Sequence, residues 1–239
     1  MKLLKSHSEH SYRIGYDECY YQYIESRYIS KKHIIRYVKF LFENRRTIRW
    51  LDIGCGLGYL VKEAIDEGID AYGIEISEYA LGRAVIKGRI IHGTITDIPF
   101  NNESFDVVSA IDVLEHVHPK DTLKALSEIH RVLKYGGFFI MITPNPCYFG
   151  NWNYDLTHIN IRHPRYWKLT LESQGFKVKM PYIPSFLKYY VLTNYPTLRR
   201  FATIIPDRIA FRIEEPLRYI PGYIFSRKSR LYIFAIKVG

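Results

Sequence analysis

From Ile48 onward, short apolar runs alternate with longer amphipathic stretches. Ile48–Ile53, Ala71–Ile76, Arg89–Gly93, Phe105–Ile111 and Phe138–Thr143 are rich in Ile, Val and Phe and read as strands. Between them lie segments of helical period. Asp121–Leu133 places Leu123, Leu126, Ile129, Val132 and Leu133 on one face. His163–Gln174 predicts a further helix stopped by Gly175, and Phe176–Met180 and Leu231–Val238 read as later strands. Residues 8–44 predict one or two Tyr-rich helices ahead of the first strand. Strands that alternate with helices imply βαβ units and a parallel sheet, and runs apolar on both faces fit strands covered above and below. The pattern predicts an α/β, doubly wound, mostly parallel seven-stranded sheet with its ligand at the carboxyl ends of the strands.

Residues 181–225 differ in character. Pro181, Pro184, Pro196, Pro206, Pro216 and Pro221 punctuate them, interleaved with aromatics and arginines, so long regular elements are not expected there. Three parts follow: an N-terminal helical segment (1–47), a core (48–180), and an aromatic, basic C-terminal cap with a final strand (181–239).

Charge follows the same division. The net charge of +10 separates into +5 over residues 1–47, −2 over 48–185 and +7 over 186–239. Basic flanks of this kind suit phosphates, anionic lipid or an acidic substrate, and equally a solvated surface. Cys19, Cys55 and Cys147 lie far apart and form no CxxC pair, which argues against a zinc cluster or a disulfide framework. No apolar run approaches the roughly 20 residues of a membrane span, and the N-terminus does not read as a signal peptide. A cytoplasmic chain is the expectation.

Asp52-Ile-Gly54-Cys55-Gly56-Leu-Gly58 follows a predicted strand and precedes a helix, the setting of a nucleotide-binding loop. Its GxGxG spacing differs from the GxGxxG of a dinucleotide site, which seats a pyrophosphate on the helix N-terminus. A sulfonium ligand has no phosphate and favours nearby acidic groups, a demand that Asp52 meets. Glu75 ends the next strand, where a carboxylate can accept from both ribose hydroxyls. Asp97, in Thr96-Asp97-Ile98-Pro99-Phe100, follows the third strand and is placed to accept from an adenine amino group. Three acidic groups at three successive strand ends outweigh the bland reading of any one as a solvated residue.

Leu51–Gly58, Gly73-Ile-Glu75-Ile-Ser77, Asp97–Phe100 with Ser104-Phe-Asp106-Val-Val, Leu114-Glu-His-Val117 and Leu133-Lys-Tyr-Gly-Gly137 resemble the class I S-adenosylmethionine-dependent methyltransferases, which have a Rossmann-like fold. The likeness is to the branch with ubiquinone-biosynthesis and related small-molecule enzymes, and covers roughly residues 48–180. It implies that S-adenosyl-L-methionine is the cofactor. Asp52, Gly54, Cys55, Gly56 and Gly58 would form the loop under its methionine end, and Glu75 would hold the ribose. Ile76 would pack on the adenine, with Asp97 and the Ile98 backbone reading its edge. Ile111 and Asp112 would line the transferable methyl, and Thr143-Pro-Asn145-Pro146 would border the acceptor pocket.

In-line transfer draws on alignment of the reactants, and an oxygen acceptor also needs a base or a metal. His116, Asp155 and His158 are the candidate catalytic groups, the last two in Asp155-Leu-Thr-His158-Ile-Asn160. Each has an ordinary alternative: a loop-shaping residue for His116, a local hydrogen-bonded turn for the other two. A metal at Asp112, His116 and His158 matches no known spacing, so none is expected. The acceptor expected is a small molecule, lipid or glycan, under the Tyr-rich N-terminal helices and the cap. An RNA methyltransferase with arginines on phosphates and aromatics on bases ranks second, without an RNA-binding module in the chain. A non-catalytic cofactor-binding protein ranks third. Peripheral membrane contact and oligomeric state stay open.

Overall fold

A computed structural model describes residues 18–26, 30–146, 155, 157–179, 196–198, 201, 204–206, 209 and 230–238. Seven strands form one sheet: β1 (Arg49–Ile53), β2 (Asp70–Glu75), β3 (Ile90–His92), β4 (Phe105–Ile111), β5 (Leu133–Pro144), β6 (Phe176–Lys179) and β7 (Arg230–Lys237). Their order is β3-β2-β1-β4-β5-β7-β6. The pairs among β1 to β5 are parallel, while β7 runs antiparallel to both β5 and β6. The sheet is therefore α/β, mostly parallel and doubly wound, as the alternation of apolar runs implies. The strand order reverses between β1 and β4, and the carboxyl ends diverge there into a crevice.

Successive side chains on a strand point to opposite faces, and here both faces are buried. Trp50, Val107, Ile140 and Phe234 face one layer, which holds α2 (Lys32–Leu41) through Ile34, Ile35 and Val38, and α3 (Tyr59–Asp66) through Leu60, Val61 and Ala64. Leu51, Val108, Phe139 and Met141 face the other layer, with α5 (Thr122–Val132) and α6 (Pro164–Ser173). In α5 the buried stripe is Thr122, Ala125, Leu126, Ile129 and Val132. Leu123, expected on that face, is 54% exposed, because it lies one position off the i, i+3, i+4, i+7 stripe that touches the sheet.

Several boundaries move. Leu133, read as helix, already belongs to β5, where it pairs with Phe105 ahead of a register shift. That shift lies beside Gly136, whose φ of 70° bends the strand. The N-terminal reading resolves into α1 (Glu18–Ser26) and α2, with residues 8–17 outside the described ones. A short α4 (Glu78–Gly82) follows β2, and the Ser77 side chain accepts from the Ala80 amide at its start. At the start of α6, the His163 ring likewise accepts from the Arg165 amide. Most of the 181–225 segment lies outside the described residues, as do Cys147 and Met180. Among the described residues, no helix is long and apolar enough to cross a membrane.

The edge opposite the carboxyl ends is held by Asp106. Its buried carboxylate accepts from Arg45 Nη1 at 2.5 Å, Lys134 Nζ at 3.0 Å and the Arg49 amide at 2.9 Å. Three donors offset the cost of burying that charge, and they tie the end of the N-terminal segment to the sheet.

Candidate active site

The loop from Gly54 to Gly58 leaves β1 with Gly54, Gly56 and Gly58 all at positive φ, so it turns tightly without side chains in the way. A Cβ on Gly58 would lie 2.2 Å from Ile90 Cδ1, and one on Gly54 2.6 Å from Val113 Cγ2. The loop can sit this low only because both positions lack side chains. The Gly56 amide donates to Glu75 Oε2 at 2.8 Å, and the Cys55 amide donates to the Ile74 carbonyl.

Glu75 is buried at the end of β2. Its Oε1 also accepts from the Ile76 and Ser77 amides, both at 2.9 Å, and from the Tyr21 hydroxyl at 3.3 Å. Tyr21 comes from α1 and stacks on Tyr79 with ring centroids 5.8 Å apart. Burial, reinforced by the Glu75 charge, drives its phenol pKa far upward, so the hydroxyl stays a proton donor.

Asp52 is 6% exposed. A relay fixes it: Trp50 Nε1 donates to Ser109 Oγ at 2.8 Å, and Ser109 Oγ donates to Asp52 Oδ1 at 2.5 Å. Burial raises the Asp52 pKa to about 7, with the Glu75 charge adding to it and Ser109 and Lys31 opposing. Lys31, just ahead of α2, has its own pKa lowered, first by burial and then by Arg230.

Asp112 follows β4 at a φ of 55°, rare for a residue other than glycine. Its amide donates to the Ile142 carbonyl, and its carboxylate pairs with Arg230 Nη1 at 2.9 Å. Strain of this kind, held by neighbours, is common where a backbone must present a group to a ligand.

These groups share one cavity of about 890 Å³. Tyr21, Lys31, Asp52, Gly54, Cys55, Gly56, Glu75, Ile76, Ile111, Asp112, His116 and Arg230 all contribute to its walls. Of the expected cofactor residues, the structure thus brings together eight: Asp52, Gly54, Cys55, Gly56, Glu75, Ile76, Ile111 and Asp112. It departs from expectation at three. Gly58 shapes the loop against Ile90 and does not line the cavity. Asp97 is exposed, with its amide closing a turn onto the Thr94 carbonyl. Ile98 is buried in the core and its amide donates to Glu128 Oε2 at 2.9 Å, so neither group of Ile98 is presented to the cavity. The wall beyond β3 is instead Thr94, Ile95 and Thr96, directly ahead of Asp97.

His116 lines the cavity, and the His158 ring packs edge-on against it with centroids 4.8 Å apart. His116 Nδ1 lies 2.9 Å from Thr157 Oγ1, which also bonds Asp155 Oδ1. His158 Nε2 lies 3.4 Å from Asp155 Oδ2. Burial, with His158 adding, lowers the His116 pKa to about 4, and His158 is lowered by burial as well. Both imidazoles are therefore neutral at physiological pH. Glu115, next to His116, is 1% exposed, and burial raises its pKa to about 8.

Sequence reading passed over Tyr21, Lys31, Glu115, Arg230 and Thr94–Thr96. Only Glu115 carried a local signal, as the acidic neighbour of His116. Lys31 and Arg230 are brought to the cavity from opposite ends of the chain, which no local pattern encodes.

The family whose model is described as a methyltransferase domain matches residues 23–179. The chain belongs to that family, within the class I S-adenosylmethionine-dependent methyltransferases. An uncharacterized protein of Methanocaldococcus jannaschii is 38% identical over 104 residues, 44% of this chain and 44% of its own. A sterol 24-C-methyltransferase of Gibberella zeae is 33% identical over 144 residues, 55% of this chain and 37% of its own. The chain thus spans less than half the length of these curated relatives. The crystal structure of an S-adenosylmethionine-dependent methyltransferase from Archaeoglobus fulgidus aligns with a TM-score of 0.61 at 22% identity, over 91% of this chain and 99% of that one, a likeness of fold.

Proposed function

We propose that this protein transfers a methyl group from S-adenosyl-L-methionine to a small-molecule acceptor of the lipid or glycan class, and that it does so in the cytoplasm. The observation that carries the reading is the single cavity joining the glycine loop and Glu75 to Asp112 and His116. Its volume lies near the upper end of the roughly 300–1,000 Å³ range for ligand pockets, which leaves room for an acceptor beside the cofactor. The donor set fits the cofactor: Asp52, Glu75 and Asp112 present carboxylates, suited to a cationic ligand that carries ribose hydroxyls. The family relatives support a small-molecule acceptor, one of them being named for a sterol. The reading takes residues 48–180 as the cofactor core, with the segments before and after it shaping the acceptor side.

When bound, the cofactor supplies an electrophilic methyl group on a positively charged sulfur. Asp52 would receive its cationic methionine end under the Gly54–Gly56 backbone. Glu75 would accept the ribose hydroxyls in place of the Tyr21 hydroxyl. Ile76 would pack on the adenine, and Thr94–Thr96 would meet its edge rather than Asp97. Ile111 and Asp112 would line the side of the transferable methyl, and His116 would meet the acceptor. Asp155 and His158 position His116, the former through Thr157. With its pKa near 4, His116 orients an acceptor more than it deprotonates one.

Calorimetric titration with S-adenosylhomocysteine tests the reading, with Glu75→Ala alongside. Saturable binding that the substitution weakens supports it. A folded protein that does not bind at millimolar ligand overturns it.

A further inference from the structure

Glu115 is buried beside His116, and neither of its carboxylate oxygens meets hydrogen-bond geometry with a described partner, although the Thr143 side chain and its own backbone amide act on its charge. An unsatisfied buried carboxylate is costly. The Nδ1 of His158 is likewise buried without a partner. One ligand atom from each of Glu115, His116 and His158 lies within 4.8 Å of the others. We propose that Glu115, His116 and His158 hold one divalent transition-metal ion, of zinc type, whose open position takes an oxygen of the methyl acceptor.

The chemistry of the three residues suits that ion. Two imidazoles and a carboxylate, with the fourth position open, form the ligand set of catalytic rather than structural zinc. Metal-bound histidines characteristically have their second nitrogen held by a carboxylate or another polar group. Both histidines here meet that condition. His158 Nε2 is 3.4 Å from the Asp155 carboxylate, which directs Nδ1 toward Glu115 and His116. His116 Nδ1 is held by Thr157 Oγ1 at 2.9 Å, so Nε2 is the nitrogen an ion would take. The Asp112 carboxylate, which acts electrostatically on both Glu115 and His158, adds to the negative field. Ligand bonds of about 2.0–2.2 Å require ligand atoms roughly 3.3 Å apart, so the three side chains close in by at most about 1.5 Å, a side-chain torsional adjustment.

The inference rests on the methyltransferase reading and narrows its acceptor to one that reacts through oxygen. His116 is common to the ion and the cofactor cavity, so an acceptor hydroxyl bound to the ion lies on the cavity side. Coordination lowers the hydroxyl pKa and its proton leaves to water. The oxygen then forms the new bond to the methyl carbon as the carbon–sulfur bond breaks, and that electron pair remains on sulfur.

Cobalt(II) is the probe, because a site of low coordination number gives it a visible absorption band. The metal-stripped full chain would be titrated with Co²⁺, and Zn²⁺ then used to displace it. Adenosylhomocysteine binding would be measured on the same samples. We expect one equivalent of Co²⁺ to bind, with affinity reduced at least about 100-fold in Glu115→Gln and in His158→Ala. Both variants should still bind adenosylhomocysteine, which shows that they fold. Absence of saturable Co²⁺ and Zn²⁺ binding overturns the proposal, as does binding that both variants leave unchanged. Should Co²⁺ bind as expected while the wild-type chain fails to bind adenosylhomocysteine, the ion site stands and the methyltransferase reading falls.

Discussion

The Gly56 amide donates to Glu75 Oε2 at 2.8 Å, so one carboxylate both closes the loop after β1 and caps the end of β2. Glu75 accepts from three backbone amides in total, and it faces the cavity from a buried position. Glu75→Ala removes these acceptors and leaves buried amides unpaired, at about 1–3 kcal/mol for each that stays dry. The expected outcome is a lower melting temperature together with a loss of S-adenosylhomocysteine affinity of about 100-fold, or about 2.8 kcal/mol. Calorimetry and thermal melts check both. Unchanged affinity in a destabilised variant would assign Glu75 to loop structure alone.

Tyr21 donates to the same carboxylate, where the ribose hydroxyls are proposed to bind. Tyr21→Phe removes a competing donor and retains the stacking on Tyr79. Its affinity for S-adenosylhomocysteine should stay within about threefold of wild type, or rise. A large loss in calorimetry would mean that the hydroxyl itself contacts the cofactor.

Asp52 sets a pH dependence of known sign. Its pKa in the folded protein is about 7, above the ordinary value of 3.8, so the folded state holds the proton more tightly. Its contribution to stability is thus full at low pH and is lost as pH rises from about 4 through 7. Cofactor binding runs the other way, because only the ionised carboxylate attracts the cationic methionine end. Affinity for S-adenosylmethionine should fall by about tenfold per unit below pH 7, from the linkage of one proton to binding. Asp52→Asn should flatten that slope in calorimetry between pH 5 and about 8 and weaken binding at the upper end.

Asp97 and Thr94–Thr96 offer a direct comparison. Asp97 is exposed and outside the cavity walls, so Asp97→Ala should leave S-adenosylhomocysteine affinity within about threefold. Ile95→Glu, which puts a charge into the wall, should reduce it at least tenfold. The reverse ranking would return the adenine edge to Asp97.

Gly58 separates packing from ligand contact. At a φ of 83° and with Ile90 2.2 Å from a built Cβ, Gly58→Ala combines backbone strain with overlap. It should cost about 1–3 kcal/mol in denaturant unfolding. Ile90→Ala in the same chain should recover part of the loss, since it relieves the overlap and not the strain. No recovery would place the whole cost in the backbone.

The alternation of short Ile- and Val-rich runs with helical stretches determined the class of fold and the place of the glycine loop, because strand and helix periodicity and glycine's backbone freedom act over a few residues. It also placed Asp52, Glu75 and Asp112 at strand ends and His116 in the loop after β4, since a doubly wound sheet gathers the carboxyl ends of its parallel strands at one crevice. The sequence misjudged features that depend on packing between elements. Leu123 turned outward because the sheet selects which helix stripe it touches, and Leu133 joined β5 because Phe105 was there to pair with it. Asp97 stands exposed beyond the turn that its amide closes onto Thr94, and the Ile98 amide is taken by Glu128, so neither is among the cavity walls. Tyr21, Lys31 and Arg230 reach the cavity, and Glu115, His116 and His158 converge, only through contacts between segments distant in the chain. The chain order records local propensity. Which distant side chains share one low-dielectric space, and so shift one another's charge, is decided only once the core has closed.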